Sequence, residues 1–117
     1  MHRIETAEGD PVTCPTTLAC SFTRRFVGLL AHRRLGDTEG LLLQPGGSIH
    51  TIGMRFGIDA LFLDADLVIL KVVAHIRPLR IARAPRGTRA VLEMAAGRAA
   101  MCALRPGMQL KLSEGKL

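Results

Sequence analysis

The 117-residue chain contains no Trp and no Tyr, and aromatic residues make up only 3% of it. Four Phe are the whole aromatic content, so any core has to be built from Leu, Val, Ile, Met and Ala. Proteins that hold single-stranded nucleic acid stack its bases on aromatic rings, and this chain offers few, which makes nucleic acid an unfavoured partner. Cysteine is also scarce. Cys14, Cys20 and Cys102 are an odd number, whereas a small secreted scaffold carries an even and denser set. They read as small buried hydrophobes or idle thiols. Cys14 and Cys20 lack the close spacing of a structural zinc site, and His2, His32, His50 and His75 form no short His pair. Asp64 and Asp66 begin like a calcium loop, but the Gly and the closing Glu are absent. No metal and no cofactor are therefore expected. Long apolar runs are missing as well. Nothing approaches the ~18 uninterrupted apolar residues of a membrane span. Residues 1–10 carry Glu5, Glu8 and Asp10 and hold no apolar stretch of the kind a secretory leader needs. The expectation is a cytoplasmic protein without a membrane span.

What is present suffices for one core. Hydrophobic residues make up 48% of the chain, and its length is that of a single domain over residues 1–117, with residues 1–15 polar, turn-rich and expected to fray at their start. Lys and Arg number 16 against 10 Asp and Glu, for a net charge of +6, and all but three of the cations are Arg. Such a balance suits an anionic partner, but it equally describes a chain that uses Arg for solubility.

Periodicity places the elements. Residues 16–19 suit a short strand. Ser21 is a plausible N-cap for a helix in which Phe22, Phe26, Leu29 and Leu30 share one face, ending near Gly36. From Gly40 the pattern changes to strands: a short apolar run closed by Pro45-Gly46-Gly47, a second at residues 48–51, and two longer ones at 58–63 and 68–75 about a turn at 64–67. Both faces of 58–63 are apolar, which predicts a central strand buried on both sides. Residues 76–88 read as an irregular excursion, 90–94 as a strand, 95–104 as a short helix and 108–112 as a last strand with Lys111 outward. The sum is a mainly β (α+β) fold, a compact small barrel or sandwich of about six short strands with one packed helix and one short one.

The stretch "SIHTIGMRFGIDALFLDAD", from Ser48 to Asp66, sets polar and charged residues on the lead-in to the most apolar run. Gly53 and Gly57 predict a bend or bulge there. Arg55 and Asp59 are four apart, so a bend at Gly57 would bring them into a charge-assisted pair. One reading is a polar pocket in which His50, Thr51 and Arg55 grip an anion, Asp59 orients them, and Glu93 joins if its strand neighbours that of Asp59. The other is structural: Asp59 accepts backbone N–H groups with Arg55 as its partner, because buried ionised groups need partners whether or not a ligand exists.

The segments "IHTIGMRFGIDALFLDADLVIL" and "AVLEMAAGRAAMCALRPGMQLKL", with "TRRFVGLLAHRRL" before them, resemble the domain of unknown function 192 family. That family's pattern runs "HTFGMRFPIDVLFLD", "VLELPAG" and "GD", and the resemblance spans Thr17 to Leu112. It implies a small β-rich fold and no established activity or cofactor. Gly57 stands where Pro is usual, Leu67 where the hairpin Gly is usual, Ala96 for the Pro before "AG", and Met108 for the Asp of "GD". Leu67 conflicts with a tight two-residue turn, which needs φ > 0. A family role resting on the Asp of "GD" would be absent from this chain.

Arg77, Arg80, Arg83, Arg86 and Arg89 recur every third residue. In a polyproline-II segment, with three residues per turn, all five guanidinium groups would line one edge and suit an anionic partner. The alternative is a solvated loop. No nucleophile elbow and no local pairing of a nucleophile with a base is present. The sequence therefore favours a non-catalytic binding or accessory module with a polar pocket for a small anionic ligand or a protein partner, as monomer or homodimer. A hydrolase-like enzyme using the same residues and an electrostatic binder using the arginine row are the alternatives.

Overall fold

In a computed structural model of the chain, residues 1–19, 36–44, 49–50, 57–77 and 81–114 are described, with Ala19, Ile49, His50 and Ile81 as backbone only. The helix expected between Ser21 and Gly36 lies outside these residues. Ten strands are present among them: β1 His2–Thr6, β2 Pro11–Thr13, β3 Thr16–Ala19, β4 Gly40–Leu43, β5 Ile49–His50, β6 Ile58–Leu63, β7 Ile69–Ile76, β8 Ile81–Ala82, β9 Ala90–Ala95 and β10 Leu110–Glu114. One short helix, α1, spans Arg98–Met101. The fold is mainly β, as the periodicity predicts.

The strands form a five-stranded sheet in the order β3-β4-β9-β6-β7, a three-stranded sheet in the order β10-β1-β2, and the pair β5-β8. Among the described residues no sheet closes on itself, so of the two expected architectures it is a sandwich and not a barrel. One core lies between the larger sheets, where Ile4, Val12 and Leu110 meet Leu42, Leu61, Leu63, Leu92 and Met94. The second face of the five-stranded sheet carries Leu41, Leu43, Ile58, Ala60, Phe62 and Val91, and Ala82 of β8 packs onto it. Burial on both sides explains why β6 and β9 are apolar on both faces apart from one carboxylate each, Asp59 and Glu93.

Two expectations are corrected. Residues 1–15, expected to be turn-rich and to fray at their start, hold β1 and β2. β1 pairs with β10 from His2 to Thr6, and Ile4 and Val12 are wholly buried. The sequence hid this because the buried side chains of the segment include polar ones: Glu5 and Thr6 are buried, and Glu5 is paired with Arg3 at 3.0 Å. Residues 76–88 are not one irregular stretch, since β8 lies within them.

The turn between β6 and β7 is longer than two residues. The Leu67 N–H donates to the Asp64 carbonyl and the Asp64 N–H to the Val68 carbonyl, while Asp64 Oδ1 accepts from the N–H groups of Asp66 and Val68. Leu67 takes the left-handed conformation, φ 63°, that closes such a loop. It is tolerated there because its side chain packs on the first core and its carbonyl accepts from Leu110.

Candidate functional site

Asp59 sits in β6, wholly buried, and its carboxylate is directed at backbone N–H groups. Oδ1 accepts from His75 at 2.8 Å, and Oδ2 accepts from Gly97 at 3.0 Å and Ala99 at 2.9 Å. These three donors come from β7, from the turn after β9 and from the first turn of α1. The single carboxylate thus ties three chain segments together, and charge-assisted bonds to N–H groups are among the stronger hydrogen bonds available. At this end β7 is irregular. Ile58 pairs with Ile76 but Ala60 with Val73, so β7 carries one extra residue. His75 absorbs it with φ 54°, and its N–H is the one that Asp59 holds.

Asp59 and Glu93 are on neighbouring strands, yet they do not share a pocket. Asp59 is opposite Met94, and Ala60 is opposite Glu93. Residues directly opposite share a face, and successive residues alternate. Asp59 therefore faces the first core with Leu61 and Met94, while Glu93 faces the second with Ala60 and Leu41. The backbone of His50 pairs with that of Ile81, so the strand that carries it belongs to the layer on the Glu93 side. Thr51 and Arg55 lie outside the described residues.

The arginine row is not a continuous polyproline-II edge. β8 interrupts it at Ile81–Ala82, and a turn reverses the chain where the Thr88 N–H meets the Pro85 carbonyl, with Gly87 at φ 92°. Arg86 and Arg89 are exposed beside that turn, and the Arg89 N–H donates to the Leu63 carbonyl at 2.8 Å. Arg80 lies outside the described residues. Arg77 and Arg83 come together on a different feature, an open cleft of about 690 Å³ between β7 and β8. Among the described residues it is lined by Lys71, Val73, Ala74, His75, Ile76, Arg77, Ala82 and Arg83. Lys71 Nζ donates to the Arg83 carbonyl at 3.4 Å and lies 6.0 Å from the centre of the Phe62 ring.

Lys71 and His75 were not singled out by sequence reasoning. No simple period finds them: Lys71 and Val73 share a face with Ile76, because the extra residue of the bulge resets the alternation before His75. A smaller cleft of about 340 Å³ lies among Thr6, Asp10, Pro11, Arg98, Met101 and Cys102, where Arg98 Nε donates to the Val12 carbonyl at 2.9 Å. Cys14 and Cys102 are half-buried free thiols, and Cys20 lies outside the described residues.

The sequence pattern of one family, DUF192 (uncharacterized ACR), matches residues 3–112. The chain belongs to that family. The DUF192 chain also shares its fold with solved structures. A Sinorhizobium meliloti 1021 protein proposed to be a transcription regulator superposes with a TM-score of 0.80 at 24% identity, over 94% of this chain and 90% of that one. A Novosphingobium aromaticivorans DSM 12444 protein of unknown function does so with a TM-score of 0.79 at 24% identity, over 94% and 82%. No curated protein matches the sequence.

Three of the four positions where this DUF192 chain departs from the pattern, Leu67, Met108 and Gly57, have a local structural counterpart. Leu67 adopts the positive φ that the usual Gly allows. Met108 in place of Asp puts a thioether where Sδ accepts the Arg105 N–H at 3.2 Å. At Gly57 a Cβ would stand 3.3 Å from the Ile76 carbonyl oxygen, a tight approach beside the bulge that Asp59 braces. No helix among the described residues is long and apolar enough to cross a membrane.

Proposed function

We propose that this DUF192 protein is a non-catalytic binding module, and that its binding surface for anionic partners is the cleft between β7 and β8. One observation carries the reading. Lys71, His75, Arg77 and Arg83 line a single open cleft. Basic side chains gathered on one surface create a positive local potential that concentrates anions. The cleft unites two members of the arginine row with two basic residues of β7. It also rests on the buried network, because the N–H of His75 in its wall is held by Asp59. In this reading Asp59 positions the cleft wall and touches no ligand, and catalysis by Asp59 and Glu93 together is disfavoured by their opposite faces.

The test is thermal unfolding at low ionic strength with and without inorganic phosphate, at matched ionic strength in chloride. Stabilisation of the natural chain by phosphate, lost in a variant carrying Arg77→Ala and Arg83→Ala, is the expected result. Equal stabilisation of that variant, or none in the natural chain, would remove the reading.

A further inference from the structure

We propose that the smaller cleft, at the seam between the β1–β2 turn and α1, is a binding site for a free α-amino acid with a small apolar side chain. It is separate from the cleft between β7 and β8. Its volume of about 340 Å³ is at the small end of the range that ligand pockets span. Two opposite charges line it, Asp10 from the turn and Arg98 from α1. Among the described residues these two form no ion pair with each other, so room is left between the charged groups. An anion entering the cleft meets the Arg98 guanidinium but also the Asp10 carboxylate, and a cation meets the reverse. Like-charge contact therefore works against a ligand of one sign. A ligand that carries both charges a few atoms apart satisfies both groups at once. An α-amino acid has this form, with its ammonium and carboxylate on neighbouring atoms of one short chain.

Both charges are held in place by the protein's own bonds. The Thr6 N–H donates to the Asp10 carbonyl at 2.8 Å, the Gly9 N–H to the Thr6 carbonyl at 2.9 Å, and the Asp10 N–H to Thr6 Oγ1 at 3.1 Å. Gly9, at φ 94°, supplies the left-handed residue of this turn, and Thr6 at its base is buried. Across the cleft, Arg98 Nε donates to the Val12 carbonyl at 2.9 Å, and Nη1 donates to Met101 Sδ at 3.3 Å. Two of the five guanidinium N–H groups are used in this way, and three remain for a carboxylate. Fixing both groups beforehand lowers the ordering cost of binding, which weighs most on a ligand of few atoms. Pro11, Met101 and Cys102 complete the wall with apolar and sulfur-bearing surface. Met101 is largely exposed, and a small apolar side chain on the ligand would cover part of it.

The experiment is a nuclear magnetic resonance titration of the nitrogen-15-labelled natural chain with L-alanine at constant ionic strength, beside acetate and methylammonium chloride. The expected result is a set of amide shifts from L-alanine centred on residues 6–12 and 97–102, with acetate and methylammonium binding at least tenfold more weakly. Asp10→Asn and Arg98→Gln should each weaken L-alanine at least tenfold. Arg98→Gln also cuts the tie to Val12, whereas Asp10→Asn leaves the turn intact because its bonds use the Asp10 backbone. Asp10→Asn therefore decides the matter where the other variant fails to fold. Unchanged affinity in Asp10→Asn overturns the inference. Acetate or methylammonium binding as tightly as L-alanine overturns it in favour of a site for a single charge. Shifts centred on β7 and β8, or none at millimolar L-alanine, overturn it as well.

Discussion

The carboxylate of Asp59 receives the backbone N–H of His75 at 2.8 Å, and His75 is the left-handed residue of the bulge in β7. A left-handed conformation costs a residue with a Cβ roughly 1–2 kcal/mol, so His75 keeps it only where the surroundings impose it. Asp59 imposes it here. With Gly97 and Ala99 on the other oxygen, the same group fixes the turn into α1.

Asp59→Asn tests this brace. The amide keeps one acceptor oxygen and turns an NH₂ toward backbone N–H groups, so at least one buried donor loses its partner. Charge-assisted hydrogen bonds and orphaned buried donors put the loss at about 2–4 kcal/mol. Urea unfolding measures it, and the midpoint should fall with little change in slope. A variant as stable as the natural chain would show that the three bonds contribute nothing net.

The end of α1 offers a stabilising change. The Leu104 N–H donates to the Ala99 carbonyl, the Ala103 N–H to the Ala100 carbonyl, and Ala103 has φ 53°. This is the Schellman arrangement, with Ala where Gly is favoured. Ala103 is exposed, so its methyl group adds little packing. Ala103→Gly should raise stability by about 0.5–1 kcal/mol, the left-handed strain relieved less the extra chain entropy of Gly. Calorimetry should then record a melting temperature higher by roughly 2–6 °C.

Gly40→Ala should act in the opposite direction. A Cβ at Gly40 would stand 2.6 Å from Cβ and Oγ1 of Thr13, whose hydroxyl is 2.7 Å from that of Thr16 in a buried pair. The two strands must separate or the hydroxyl pair must break, at about 1–3 kcal/mol or more. Thr13→Gly in the same chain should recover part of the loss. Chemical denaturation of the single and double variants supplies the comparison, and additive losses would mean that the steric clash is not the cause.

How much of this was legible depended on how each residue is buried. β6, β7 and β9 announced themselves because apolar side chains fill both faces or alternate cleanly. The structural role of Asp59 was legible as one of two readings, since a buried carboxylate needs donors wherever it is. Its separation from Glu93 was not legible, because it turns on register. Were β6 shifted by one residue, Asp59 would stand opposite Glu93 instead of Met94. Nothing local in either strand encodes that choice. The cleft was half legible: Arg77 and Arg83 were singled out, but by a three-residue spacing that the chain does not use, whereas Lys71 and His75 reach it from either side of a bulge that no local pattern encodes.

The N-terminal strands provide the sharpest contrast between composition and structure. β1 is the middle strand of its sheet, joined on one side to β10 through five residue pairs and on the other to β2. Ile4 is the side chain of β1 that enters the first core most deeply, and it has no exposed surface. Ile4→Ala leaves a cavity in the first core and should cost about 2–5 kcal/mol, read as a lowered denaturation midpoint. Removing residues 1–13 altogether strips one face from β6, β9 and β4 and leaves β10 without a neighbouring strand. Such a chain should lose its cooperative unfolding transition and its dispersed amide spectrum. A truncated chain that still melted in one sharp step would mean that the five-stranded sheet is stable by itself and that the smaller sheet is only an appendage.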